Sequence, residues 1–436
     1  MKVKIEWSKL VKPLYGGVPP PATEYIPLSV FDKVTYDQHV AIIYAYRPPT
    51  PSNAAVELGL RKALAVYREW AGRLGHGRDG EPAIILNDEG AKFVEAYVDR
   101  NLDQDFTFRP SAALLSLHPP LIGVAELVQV QITRFSCGSM VVGFTAHHRV
   151  ADGNATSSFL VAWGKACREV EITPMPFHDR AIFPPRETPR IDFEHRGVEF
   201  MSKNFKKQYP LIDNQIEDIV AHKVKFSKEF LSKLKLSASS WNPKEKPFST
   251  FETLVAHLWR AITEARRLNS PETTQIRISV DGRSRLSPRV PQEYFGNLVL
   301  WAFARARVGD LLREPLGYAA KLLHDAVVSV DDGYFKSFID FAHRRAPAED
   351  LVPTATADTE ESILWPNLEV DSWLRFPFYD LDLGSGCPYV FMPSFSPTEG
   401  MIFILPTFSG DGSIDVFVPL FRENLEVFKR VCYSLE

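Results

Sequence analysis

The sequence predicts a mixed α/β protein folded in two halves, and three observations carry that prediction. Short apolar runs of strand length alternate with stretches of helical spacing along the whole chain. A proline-dense interval, with Pro174, Pro176, Pro184, Pro185 and Pro189, breaks both helix and sheet near the middle. The chain has 436 residues, 45% of them hydrophobic, which supplies two cores of ordinary size. The expected division is residues 1–172, a crossover at 173–215, and residues 216–436.

The elements follow in chain order. Met1 to Trp7 alternates charged and apolar residues like a half-exposed strand and lacks the apolar core of a signal peptide. Leu60, Leu64, Tyr67 and Ala71 recur at helix spacing behind Pro51-Ser52-Asn53. Leu127 to Phe135 reads as a strand that turns through Ser136-Cys137-Gly138-Ser139 into a second strand, Met140 to His147. Asp152-Gly153 then opens a helix with Phe159, Ala162 and Trp163 on one face. After the crossover come a strand at His222 to Phe226, a helix behind Ser227, and an amphipathic helix from Thr250 to Leu268. Alternating Ile276, Ile278 and Val280 form a strand ending at Asp281-Gly282-Arg283. His343 to Glu361 is polar and rich in Ala and Pro, as a mobile surface loop would be. Strands resume at Leu368, Tyr389, Met401 and Ile414, before a closing helix from Leu420.

Composition excludes several classes. The formal net charge is -4 and Lys and Arg are scattered, which argues against nucleic acid or an anionic membrane as partner and leaves small molecules. Cys137, Cys167, Cys387 and Cys432 are too widely spaced for a disulfide framework or a metal site, as expected in a reducing compartment. No stretch has the apolar length of a membrane span, and the terminal Tyr433-Ser434-Leu435-Glu436 is not a peroxisomal or retention signal, so a cytosolic protein is expected.

The chemistry concentrates at His148-Arg149-Val150-Ala151-Asp152-Gly153. Strand, turn and helix hold an imidazole at a sheet margin, where one ring nitrogen can face a cleft while carboxylate or backbone groups fix the other. That arrangement suits a general base, although His-x-x-x-Asp also arises by chance in a chain with 11 histidines. Glu369 and Asp371 are two apart in a segment of strand character, so both carboxylates project from one face. They are placed to hold a cation, and a guanidinium matches carboxylate oxygens two at a time; a solvated strand face carries the same pattern.

Five segments in order resemble the plant BAHD acyltransferases, which move an acyl group from a CoA thioester to an alcohol or amine: His148 to Gly153; His178-Asp179-Arg180; Phe248-Ser249-Thr250-Phe251-Glu252; Asp281-Gly282-Arg283-Ser284-Arg285 with Tyr294-Phe295-Gly296-Asn297; and Pro377 to Gly386. Their spacing covers nearly the whole chain. The family's late Asp-Phe-Gly-Trp-Gly is here Asp382-Leu383-Gly384-Ser385-Gly386, so the aromatic pair is missing; if that position shapes the oxyanion region, Ser385 must do so differently. Tyr67 to Leu74, Asp332 to Phe341 and Asn367 to Trp373 are similar to the cereal agmatine and aromatic-amine hydroxycinnamoyltransferase branch.

The resemblance implies two chloramphenicol-acetyltransferase-like domains with mixed sheets and an active-site channel at their interface, His148 midway along it. It implies His148 as the base, Asp152 as a brace of the loop, and Asp382 as a structural aspartate paired with Arg283 or Arg285. It offers Ser249, Thr250, Arg283 and Arg285 for CoA. For the acceptor it offers Glu369, Asp371 and Trp373; Asp371-Ser372-Trp373 stands where many alcohol-acylating relatives carry Thr-Ser-Trp, which puts a charge in place of a hydroxyl. The implied activity transfers a hydroxycinnamoyl group such as p-coumaroyl from CoA to a primary amine, agmatine first. Tryptamine, tyramine, serotonin or a polyamine are alternative acceptors and benzoyl an alternative donor. The products would be phenolamides of plant specialised metabolism and defence. Acyl-CoA is a substrate, no cofactor or metal is implied, and a monomer is expected. Two other classes share features: a carrier-protein-dependent condensation enzyme, because His147-His148 forms a double histidine, and a catalytically silent binding protein, because the late motif is altered.

Overall fold

The computed structural model describes residues 2–21, 24–102, 108–203, 218–241, 246–357, 363–395 and 398–435. The first half contributes strands β1 (Lys4–Val11), β2 (His39–Tyr46), β3 (Ala91–Val98), β4 (Val128–Phe135) and β5 (Met140–His147) and helices α1 (Val30–Val34), α2 (Asn53–Val66) and α3 (Gly153–Cys167). The second half contributes β6 (Ile219–Phe226), β7 (Thr273–Asp281), β8 (Val299–Arg307), β9 (Leu368–Ser372), β10 (Val390–Pro393), β11 (Met401–Pro406) and β12 (Ile414–Phe421). Its longer helices are α4 (Lys228–Ser240), α5 (Thr250–Ala265), α6 (Leu316–Ser329), α7 (Asp332–Arg344) and α8 (Arg422–Val431).

The first sheet runs β1-β3-β4-β5-β2-β10 and the second β6-β12-β11-β9-β7-β8. Both are mixed: β3 lies parallel to β4, and β9 lies parallel to both β7 and β11. The predicted turn after Phe135 closes an antiparallel pair in which Arg134 faces Met140. β10 crosses over from the later sequence to pair with β2, Val390 opposite Ala45. Trp373, Phe378 and Phe391 accompany it into the first core.

Helix starts follow local chemistry. Ser52, Asp152 and Ser227 accept backbone N–H groups at the first turns of α2, α3 and α4, and Ser249 forms a reciprocal cap with Glu252 at α5. α2 and α3 cross at close range, because a side chain on Gly59 would meet Cys167 Sγ at 2.2 Å. In the second half, Ile276, Ile278, Val280, Val370, Ile402 and Ile404 face the helices and pack on Leu254, Leu258 and Ile262 of α5. The alternate residues of those strands face the first half.

Some predicted boundaries move. The helix expected through Ala71 ends at Val66 and passes into a 3-10 turn over Arg68–Ala71, and the helix expected to Leu268 ends at Ala265. The loop expected from His343 is ordered structure in part: α7 reaches Arg344, and Leu351–Pro353 pairs with Phe200–Ser202. Phe335, Phe338 and Phe341 bury one face of that helix, which outweighs its polar ending. Residues 358–361 of that loop, and 204–215 of the expected crossover, lie outside the described residues. Among the described residues no helix is long and apolar enough to cross a membrane.

Candidate active site

β5 delivers His148 one residue past its end, and backbone bonds from both halves hold the turn. His148 N–H donates to Gln38 C=O at 2.9 Å, and Asn297 Nδ2 donates to His148 C=O at 2.9 Å. Arg180 Nη2 donates to Val150 C=O at 2.7 Å. Arg180 in turn pairs with buried Asp32, which also accepts the backbone and side-chain N–H of Asn297. The imidazole therefore sits on a frame contributed by β2, the crossover and the segment before β8.

The ring itself is partly exposed. Thr35 Oγ1 lies 3.0 Å from Nδ1, and the edge of the Tyr36 ring packs against it at 5.8 Å between centroids. Among the described residues Nε2 has no hydrogen-bond partner. Burial lowers the His148 pKa, an effect that the charge of Asp152 opposes. The ring is thus a neutral imidazole near neutrality, and in the tautomer whose Nδ1–H donates to Thr35 Oγ1 its Nε2 lone pair is available to a proton. Its neighbour His147 is also held neutral, its pKa lowered to about 3 by burial and then by the charges of His39, Arg149 and His148.

Asp152 caps α3 through Ala155 N–H at 2.9 Å and meets Arg283 edge to edge. Arg283 is 0% exposed, and Asp152, Asp281 and the carbonyls of Tyr294 and Gly296 take its Nη donors, while its Nε is buried without a partner among the described residues. This corrects two expectations. Arg283 is not the partner of Asp382, and with no solvent exposure its guanidinium is out of reach of a CoA phosphate. Asp382 instead pairs with Arg168 at 3.2 Å and accepts N–H from Gly384 and Gly386, both at 2.8 Å. Arg285 spends Nη1 on the carbonyls of Val327 and Val330 at the end of α6. Ser385 belongs to the Asp382 turn, which lies against Gly164. Helical rise places that contact roughly 18 Å along α3 from the His148 end, so the altered late motif lies away from the imidazole.

Of the remaining predicted residues, exposed Ser249 and half-buried Thr250 open α5, with the serine hydroxyl engaged in its cap. Glu369 and Asp371 lie on the β9 face turned toward His148, and the charge of Glu369 reaches the imidazole. They are not equivalent. Glu369 forms an ion pair with Arg277 and accepts the Tyr36 hydroxyl at 2.7 Å. Asp371 accepts the Ser279 hydroxyl at 2.5 Å, and among the described residues no cation pairs with it directly. Burial, then the charge of Glu369, raises its pKa to about 6. Trp373 is 8% exposed and packs on Phe378, Phe391 and Phe403, which makes it a core residue.

Sequence reasoning missed Thr35, Tyr36, Arg277, Ser279 and Trp301. Arg277 and Ser279 are the polar members of the Ile276-Ile278-Val280 alternation, so their sidedness was readable; the register that sets them beside Glu369 and Asp371 was not.

The two mixed sheets match the fold of vinorine synthase. That crystal structure is 21% identical, with a TM-score of 0.71 over 98% of this chain and 96% of that one. The chain belongs to the Transferase family, whose model matches residues 1–435, the BAHD acyltransferases. It is 51% identical to agmatine hydroxycinnamoyltransferase 1 of Oryza sativa subsp. japonica, over 100% of this chain and 99% of that protein. It is 52% identical to putrescine hydroxycinnamoyltransferase 3 of the same organism, over 100% of both.

Proposed function

We propose that the chain transfers a hydroxycinnamoyl group from CoA to the primary amine of agmatine. The observation that carries this reading is Asp371, a recessed carboxylate on the His148 side of β9 that accepts a hydroxyl and, among the described residues, pairs directly with no cation. A guanidinium at the far end of the acceptor supplies that cation. The amine end, with a solution pKa near ~10, first gives one proton to solvent; the neutral nitrogen then adds to the thioester carbonyl and passes its second proton to His148 Nε2. The tetrahedral adduct expels the CoA sulfur, which takes the proton back from the imidazolium. One residue serves both transfers and no covalent enzyme intermediate forms.

Putrescine is a second reading. Ser279 already occupies Asp371 Oδ1, and a single remaining oxygen suits the point charge of an ammonium. Relatives named for both acceptors are about equally similar to the chain. In either case the enzyme works as a cytosolic monomer with acyl-CoA as substrate and no metal or redox cofactor. Ser249 and Thr250 at the exposed start of α5 are the proposed CoA contacts. The test is release of free CoA thiol from p-coumaroyl-CoA with agmatine, putrescine and tryptamine in turn. Preference for tryptamine sinks the cationic-acceptor reading, release only from a carrier-bound donor points to a condensation enzyme, and no release to a silent protein.

A further inference from the structure

The acceptor face carries two carboxylates, and the protein already answers one of them. Arg277 sits beside Glu369 in the parallel register of β7 and β9 and forms an ion pair with it. The same guanidinium donates to the Tyr36 hydroxyl at 2.6 Å, and that hydroxyl donates to Glu369 at 2.7 Å, closing a ring of three polar groups. Tyr36 and Trp301 flank the guanidinium at 5.9 and 5.5 Å, which fixes it against swinging away. With Glu369 matched by Arg277, the ionised face retains the single negative charge of Asp371.

We propose that Arg277 is a specificity-determining counter-charge: it restricts the site to acceptors with one distal cation, a guanidinium or one ammonium, and repels triamines whose distal part carries two. This inference rests on the acceptor class proposed above. The raised pKa of Asp371 accords with it, because a carboxylate destabilised by burial and a like charge gains most from one incoming cation. A second cation meets a fixed guanidinium and no further unmatched carboxylate among Glu369 and Asp371.

The test compares kcat and KM for agmatine, putrescine and spermidine in the wild type, Arg277→Lys and Arg277→Gln, following thiol release from p-coumaroyl-CoA. The wild type should disfavour spermidine against putrescine by roughly tenfold in KM, and Arg277→Lys should keep that ratio. Arg277→Gln should erase most of the discrimination, through KM and with little change in relative kcat. A folded Gln variant with the wild-type ratio overturns the proposal. So does a wild-type KM for spermidine as low as for putrescine, which decides the matter alone if melting curves show that the Gln variant does not fold. Wild-type turnover of agmatine and putrescine with no discrimination against spermidine removes this inference and leaves the acceptor class standing; turnover of neither removes both.

Discussion

Asp152 and Arg283 stand 131 residues apart and meet in two parallel bonds, Nη1 to Oδ2 at 2.8 Å and Nη2 to Oδ1 at 3.1 Å, with almost no solvent contact. The pair ties the loop that carries the base to the second half. Arg283→Ala leaves the Asp152 carboxylate buried and unpaired, which should cost about 3–5 kcal/mol. Chemical denaturation should show the lowered midpoint, and Asp152→Asn, which still caps α3, should lose less.

His148→Ala should lower kcat by about 10²–10⁴-fold while CoA affinity, measured by calorimetry, stays at the wild-type value. A near-normal rate would remove the imidazole from the reaction.

Thr35 orients the ring through Nδ1 and touches no substrate in the proposed reaction. Thr35→Val should reduce kcat by roughly tenfold, the worth of one oriented hydrogen bond, with acceptor KM unchanged. Thr35→Ser should restore the rate. Loss of stability alone would not produce that split.

Burial holds the His148 pKa below its ordinary value, so the base form persists as pH falls past the usual histidine range. The acid limb of a kcat profile should therefore have its midpoint below about 6.5. Stability should also fall in acid. The unfolded chain binds a proton at His147 near ~6.5, the folded chain resists until about 3, and between those values protons favour unfolding. Thermal melts across that window measure the loss.

Asp371→Asn removes the carboxylate that, of Glu369 and Asp371, has no direct cation among the described residues. The KM for agmatine should rise by at least roughly tenfold, and that for tryptamine far less, as steady-state kinetics on both amines would record.

Much of this was legible in residue order, because the determinants are local. The turn after Phe135, the Asp152 start of α3 and the apolar stripe of α5 all depend on neighbours within a few positions. The base was legible for the same reason, since a strand end and a helix cap bracket it. What stayed hidden depends on pairing between distant segments. Asp382 was expected to find an arginine in 283–285, but the close approach of Gly164 brings Arg168 to it instead. Glu369 and Asp371 looked alike until the register with β7 gave one an arginine and the other a serine. Trp373 was expected beside the acceptor because the return of its segment to the first core is a matter of topology.

That return, completed when Val390–Pro393 docks on β2, makes the two lobes poor modules. A gene fragment ending between them would encode a first lobe with a bare sheet margin and without the aromatic plug of Trp373, Phe378 and Phe391. Recombination among relatives should therefore tolerate crossovers that exchange residues 373–393 together with the amino-terminal lobe, and reject those that part them.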